Sequence, residues 1–233
     1  LPSDVYARIE GVIQSIKNSS DIGPILEPGF AEVSVLWTCD KSGIKMKCRF
    51  DKLAPRHYSD LKTFDNYNGK PVKQFIRDQF RFNRYYIQWA LYWQAAEIIR
   101  SGALRVQKGN DEQTAMIKEL MANPWPMKAF YAFQEKNGIP NLFGRWVQVF
   151  TESLEVHSQA GLPPEKIYEL SVEHGLLTGI YQKACVEINQ AKSQFLRYSE
   201  VYDEGEPWRP ITPIEDMNDD DFNEFWLREE PTK

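Results

Sequence analysis

The stretch Lys45–Thr63, KMKCRFDKLAPRHYSDLKT, constrains the fold more than any other part of this 233-residue chain. Ile44–Leu53 alternates: Ile44, Met46, Cys48 and Phe50 point inward, and Lys45, Lys47, Arg49 and Asp51 share the opposite face. The segment APRHYS turns the chain into a further strand over 57–63. Side chains alternate there too, so Asp60 and Lys62 project to one side while Leu61 is expected in the core. Two neighbouring strands therefore carry Asp51, Asp60 and Lys62 close together, with Asp51 on a face that also holds three cations.

Elsewhere the periodicities are coarser. Residues 2–20 read as an amphipathic helix, with Val5, Ile9, Val12, Ile13 and Ile16 at three-and-four spacing, and GPILEPG (23–29) reads as a turn-rich link. Ala31–Thr38 places Val33, Val35 and Trp37 on one face, and Ser42-Gly43 suits a hairpin turn. The pattern from Val72 to Arg100 is helical, in one or two pieces. Phe130–Lys136 and Arg145–Phe150 read as strands, Ile167–Ser171 as a short strand and Val172–Ser199 as a long helix. The expectation is an α/β (α+β) architecture with a central mixed sheet flanked by helices. It forms one domain over 1–211, and an acidic, flexible tail follows at 212–233.

Composition narrows the class. A chain 42% hydrophobic and 13% aromatic packs a core rather than staying disordered. No apolar run approaches the roughly eighteen residues a membrane helix needs, and no signal-peptide pattern is read. The first residue is Leu1 rather than Met, which suits a trimmed amino terminus. Cys39, Cys48 and Cys185 are odd in number and lack CxxC spacing, so reduced thiols in a cytoplasmic protein are expected, not a disulfide framework or a zinc site. The net charge of −5 hides an asymmetry: Thr212–Lys233 holds eight acids and two bases, which leaves the body at +1. A near-neutral body with local basic patches can still hold a phosphate backbone.

The chemistry follows from the residue types. Mg²⁺ takes oxygen ligands and retains waters, so one or two carboxylates plus substrate oxygens hold it. Asp51 and Asp60 suit that role, with Mn²⁺ as a substitute, and an ammonium at Lys62 would orient or help deprotonate a water and offset developing charge. That combination hydrolyses phosphodiesters. The alternative is that Asp60-Leu61-Lys62 is an ordinary exposed strand pair. Further on, Arg81, Arg84, Gln88 and Tyr92 fall at three-and-four spacing and are expected to share one helix face. The arginines would grip phosphates, and Gln88 and Tyr92 would bond a phosphate or nearby base. With Tyr85, Trp89 and Trp93, the same helix also reads as core packing.

Three segments together carry a resemblance: Arg49-Phe50-Asp51, Ser59-Asp60-Leu61-Lys62-Thr63 and Arg84-Tyr85-Tyr86-Ile87-Gln88-Trp89-Ala90-Leu91-Tyr92. They resemble the PD-(D/E)xK nuclease superfamily, with its restriction-endonuclease-like core, and within it the RecE (exonuclease VIII) group of phage-type exonucleases related to lambda exonuclease. AEVSVLWTCDKSG, Phe133-Gln134-Glu135-Lys136 and Gly205-Glu206-Pro207-Trp208 are similar to that group as well, so the likeness covers roughly Glu32 to Trp208. It implies Mg²⁺-dependent digestion of one strand of linear duplex DNA, 5′ to 3′, leaving 3′ overhangs for recombination in a bacterial or phage-infected cell. By resemblance, Asp51 and Asp60 are the metal ligands, Lys62 the catalytic lysine, and Gln88 and Tyr92 the supporting helix pair. Ring trimers or tetramers on DNA ends and a single-strand annealing partner are also implied, and no membrane. Phe50 stands where the family more often has proline. The family's upstream Gly-x-Ala-x-His helix has no counterpart in residues 1–30.

Other residues have smaller expected parts. Glu32 is a candidate additional acid or a structural strand-opening residue, and Lys45, Lys47 and Arg49 join Arg81 and Arg84 as DNA-binding cations. His57 is expected as a solvated turn residue, and His157 and His174 lack partners at metal spacing. Glu135 and Lys136, adjacent on a strand, point to opposite faces. Phe222, Phe225 and Trp226 give the tail a docking option. Two other functions fit the same residues: an endonuclease, or a catalytically silent DNA-binding or assembly module.

Overall fold

A computed structural model describes residues 3–66, 69–103, 106–123, 126–136, 141–150 and 177–200. The chain divides into two compact units, Leu1–Lys192 and Ser193–Lys233. The expected strand at 167–171, His157, His174, the GEPW segment and the acidic tail with its aromatic residues lie outside the described residues.

Helix α1 (Ser3–Asn18) and the short α2 (Gly23–Leu26) precede three strands, β1 (Phe30–Thr38), β2 (Lys45–Leu53) and β3 (His57–Phe64). Helices α3 (Val72–Phe82), α4 (Tyr85–Arg100) and α5 (Asp111–Ala122) lead to β4 (Lys128–Glu135) and β5 (Leu142–Val147), and α6 spans Gly179–Ser199. The strands form one sheet in the order β1-β2-β3-β4-β5. Every pair is antiparallel except β3 and β4, which run parallel because a helical crossover joins them. No described helix is long and apolar enough to cross a membrane.

The expected alternation holds in β1 from Val33 and in β2 as far as Asp51: Val35, Cys48 and Phe50 are buried and Lys45, Lys47 and Arg49 exposed. Cys39 O accepts from Ser42 N and Gly43 N, and Gly43 adopts φ 68° to close the β1–β2 turn. Gly29 precedes β1 at φ 89°, and a Cβ there would meet Leu53 O at 2.1 Å. Only glycine lets the two strands approach so closely at that point.

Two expectations are corrected and one helix is added. The 23–29 link contains a helical turn, with Pro24 at its start, where a missing N–H costs nothing. A helix at 111–122 went unanticipated; Asn110 caps it in a box with Gln113. Only Met116 and Leu120 are buried along it, too sparse a stripe to betray the period. The strand expected at Arg145–Phe150 runs instead from Leu142 to Val147.

Helix α4 is the hub of the core. Trp89, Ala90, Trp93, Ala95, Ala96 and Ile99 are buried along it, and on the sheet side they join Phe50, Leu53, Tyr58, Tyr131 and Phe133 in one cluster. Two buried polar bonds lock the helix in place: Tyr58 OH donates to Trp89 O at 2.7 Å, and Trp93 Nε1 to Met127 O at 3.0 Å. The other sheet face carries a much smaller cluster, Ile22, Phe130 and Ala132 with Ile25, Leu26 and Leu142 against them. This asymmetry turns the site residues of β3 toward α4.

Candidate active site

Strands β2 and β3 pair only at Lys52↔Ser59 and Leu53↔Tyr58. Beyond that point Asp51 Oδ2 accepts the backbone N–H of Leu61 at 3.3 Å, so a side chain occupies the place of a ladder carbonyl. The alternation of β2 breaks at the same place, since Phe50 and Leu53, three residues apart, are both fully buried. Opposite Asp51, between the pairs Ala31↔Lys52 and Val33↔Phe50, Glu32 adopts φ 59°. The strained backbone and the opened ladder together leave the Asp51 carboxylate free to turn across to β3.

Asp60 lies beneath that opening and is 1% exposed. Its Oδ1 accepts from Gln88 Nε2 at 3.0 Å. Its Oδ2 is sealed from solvent and lies 2.7 Å from Lys62 Nζ, an ion-pair contact that lacks hydrogen-bond geometry. Burial raises the Asp60 carboxyl above the usual aspartate range, opposed by the Lys62 contact and reinforced by the charge of Asp51. Lys62 in turn sits 4.8 Å from the ring centre of Tyr85. Tyr92, one helical turn after Gln88, places its ring 5.1 Å from Phe50 and 6.3 Å from Tyr58, walling the site.

Asp51, Asp60, Lys62 and Gln88 thus come together, and Tyr92 adjoins them. Leu61, expected in the core, is instead 39% exposed. The thick core lies on the α4 side with Asp60, and the residues behind Leu61 are only thinly covered. The shared face of Arg81, Arg84, Gln88 and Tyr92 does not exist. The helix breaks at Asn83–Arg84, where Arg84 adopts φ 53°. Arg81 lies in the last turn of α3, and only Gln88 and Tyr92 share a helix.

Glu32 is engaged by Arg49 at 2.9 Å, and both side chains are largely exposed. His57 is no solvated turn residue: it opens β3, its Nε2 lies 2.8 Å from Ile25 O, its ring contacts Trp146, and burial lowers its pKa. Glu135 accepts from Asn141 and Lys136 pairs with Asp65, so neither joins the site.

Two site neighbours had no sequence signal. Tyr131, on β4, is the register partner of Asp60. Its hydroxyl is buried without a hydrogen-bond partner and, through burial and the nearby Asp60, is held well above the usual phenol range. Phe80 packs edge-on against Tyr131 at 5.4 Å. Their positions depend on the parallel β3–β4 register, which no local pattern encodes.

Among the described residues no three carboxylate, imidazole or thiol groups converge on a metal position. The residues that could hold a cation there are Asp51 and Asp60. Both offer hard oxygens, and the buried Asp60 Oδ2 is approached by the Lys62 ammonium at 2.7 Å. These residues fit a Mg²⁺-like cation that keeps waters in its remaining positions.

Residues 1–104 match the model of a family described as "PDDEXK-like domain of unknown function (DUF3799)". The matched part includes Asp51, Asp60, Lys62, Gln88 and Tyr92. No curated protein matches the chain. A solved chain from Eubacterium rectale, described as a "putative exonuclease", is 17% identical with a TM-score of 0.42, covering 74% of this chain and 55% of that one. This chain thus spans little more than half the length of that protein. The five-stranded mixed sheet with flanking helices is consistent with a PD-(D/E)xK-like fold, and the family match supports a nuclease-family function.

Proposed function

We propose that this PDDEXK-like chain is a Mg²⁺-dependent exodeoxyribonuclease that digests one strand of linear duplex DNA from 5′ to 3′. The observation that carries the reading is the buried Asp60 carboxylate, held by Gln88 on one oxygen and approached by Lys62 on the other, with Asp51 turned toward it. Asp51 and Asp60 hold the cation, which when bound polarises the phosphate and lowers the pKa of a water. Gln88 fixes the Asp60 carboxylate in one orientation, which spares the site a reorganisation cost when substrate binds. Lys62, pressed against the Tyr85 ring, keeps its ammonium where an attacking water and the charge growing on phosphate are offset. The buried phenols of Tyr58 and Tyr131 stay neutral and keep bulk water from the floor of the site. Assembly into a ring around DNA ends, and cooperation with a strand-annealing protein, belong to the same proposal.

The test is Mg²⁺-dependent degradation of end-labelled linear duplex beside a covalently closed circle, with Lys62→Ala as control. Loss of the linear DNA alone, abolished in the variant, supports the exonuclease, and the order of label release reads its polarity. Nicking or linearisation of the circle replaces it with an endonuclease. Inertness toward both substrates overturns catalysis and leaves a DNA-binding module.

A further inference from the structure

We propose that a groove beside the Asp60–Lys62 site binds an unpaired nucleic-acid strand and leads it to the carboxylates, an inference that rests on the nuclease reading above. The groove has a volume of 620 Å³ and is lined by α3, the β4–β5 pair, Tyr86 and the start of α6. Lys73, Arg77 and Arg81 stand four residues apart, one stripe along α3, and Arg145 of β5 and Lys183 of α6 complete a set of five cations. Among the described residues no carboxylate lines it. Glu187 touches the wall, accepting from Tyr86 OH at 2.8 Å and lying 3.9 Å from Lys183 Nζ. A lining of five cations without an acid calls for a polyanion.

The space between the cations decides which polyanion. Half-buried Phe80 and Val147, backed by the buried Phe133 and Ile76, make it apolar with one accessible aromatic ring. A duplex turns its bases inward and would leave such walls unused. An unpaired strand exposes base faces, one of which can stack on the Phe80 ring while its phosphates meet the arginines and lysines. The groove also reaches the chemistry. Phe133 is the register partner of Lys62, and Phe80 packs on Tyr131, the register partner of Asp60. Tyr85 links the two regions, contacting Phe80 at 6.4 Å and Lys62 at 4.8 Å. A strand lying in the groove therefore ends one side chain from the carboxylates.

The test uses a short fluorescein-labelled oligothymidylate, titrated by anisotropy in EDTA so that binding is read without cleavage. Wild type is compared with Arg77→Glu, Arg145→Glu and Asp60→Asn. The expected result is strand binding that each charge reversal weakens about tenfold or more, with the salt dependence of log K shallower by about 0.7 for each phosphate no longer neutralised. Asp60→Asn binds as wild type does, and a blunt duplex of equal length binds more weakly. Lys183→Glu, on a largely exposed side chain, repeats the test where misfolding is no concern, and melting curves check the others. Unchanged binding in the reversed variants, no strand binding by wild type, or equal competition by polyglutamate overturns the groove. If wild type degrades DNA yet the variants bind the strand normally, the groove alone fails. If the variants lose strand binding but no divalent metal supports cleavage, the nuclease reading alone fails.

Discussion

The carboxylate of Asp51 accepts the backbone N–H of Leu61 at 3.3 Å, where β2 and β3 cease to pair. A side chain thus satisfies a main-chain donor that a regular ladder would have bonded, and that substitution opens the sheet over Asp60. The exposed Asp51 thereby comes beside the buried Asp60, and two like charges close together favour a cation between them.

Removing the ammonium tests whether the pair hydrolyses phosphodiesters. Lys62→Ala lowers kcat by about 10²–10⁴-fold, the range of a group that assists proton transfer or offsets developing charge. Asp60→Asn abolishes cleavage and weakens Mg²⁺ binding by calorimetry, while DNA binding in EDTA survives. Gln88→Ala is milder, about 10–100-fold, because it orients a ligand and is not one itself.

The buried bond from Tyr58 to the Trp89 carbonyl ties the central helix to β3. Tyr58→Phe keeps the packing and removes the donor, so unfolding in urea shows a loss of about 1–2 kcal/mol with an unchanged m-value. Cleavage stays nearly intact in this variant, since the hydroxyl touches no proposed ligand.

Gly29 sets how closely β1 approaches the end of β2. Gly29→Ala meets Leu53 O and must hold a left-handed backbone, so it costs about 2 kcal/mol or more by thermal or chemical melting. Because Leu53 lies two residues from Asp51, cleavage falls further than the folded fraction does. Equal falls in both would place the effect on stability alone.

Cys39 and Cys48 differ sharply as nucleophiles. Polar neighbours, Ser42 foremost and then Lys192, whose Nζ lies 3.4 Å from the sulfur, bring the Cys39 thiol down to about 7, whereas burial pushes Cys48 up to about 12. Iodoacetamide alkylation of the native protein, read by mass spectrometry, should modify Cys39 with a midpoint near pH 7 and spare Cys48. Ser42→Ala moves that midpoint upward. A thiol whose folded pKa is depressed stabilises the fold above its unfolded pKa. That contribution is lost as pH falls from about 9 through 7.

Alternation along Ile44–Leu53 and over 57–63 was enough to put Asp51, Asp60 and Lys62 on neighbouring strands, and four-residue spacing was enough to put Gln88 and Tyr92 on one helix. These are local properties, set by a period of two or of 3.6 residues, and the order of residues alone carries them. Which face of β3 is buried was not local. Leu61 is the more apolar residue, yet Asp60 is the one enclosed, because the thick layer of α4 covers that side and the other face has only the small cluster around Phe130. Val72–Arg100 forms two helices, one of the two divisions its pattern allowed, but the left-handed turn at Arg84 that parts Arg81 from Gln88 has no mark in that pattern. Long-range packing alone brought Tyr131 beside Asp60 and set Arg145 and Lys183 around the α3 stripe of Lys73, Arg77 and Arg81. Those placements depend on the register of β3 against β4, two strands joined by three helices, and no short-range period carries that information.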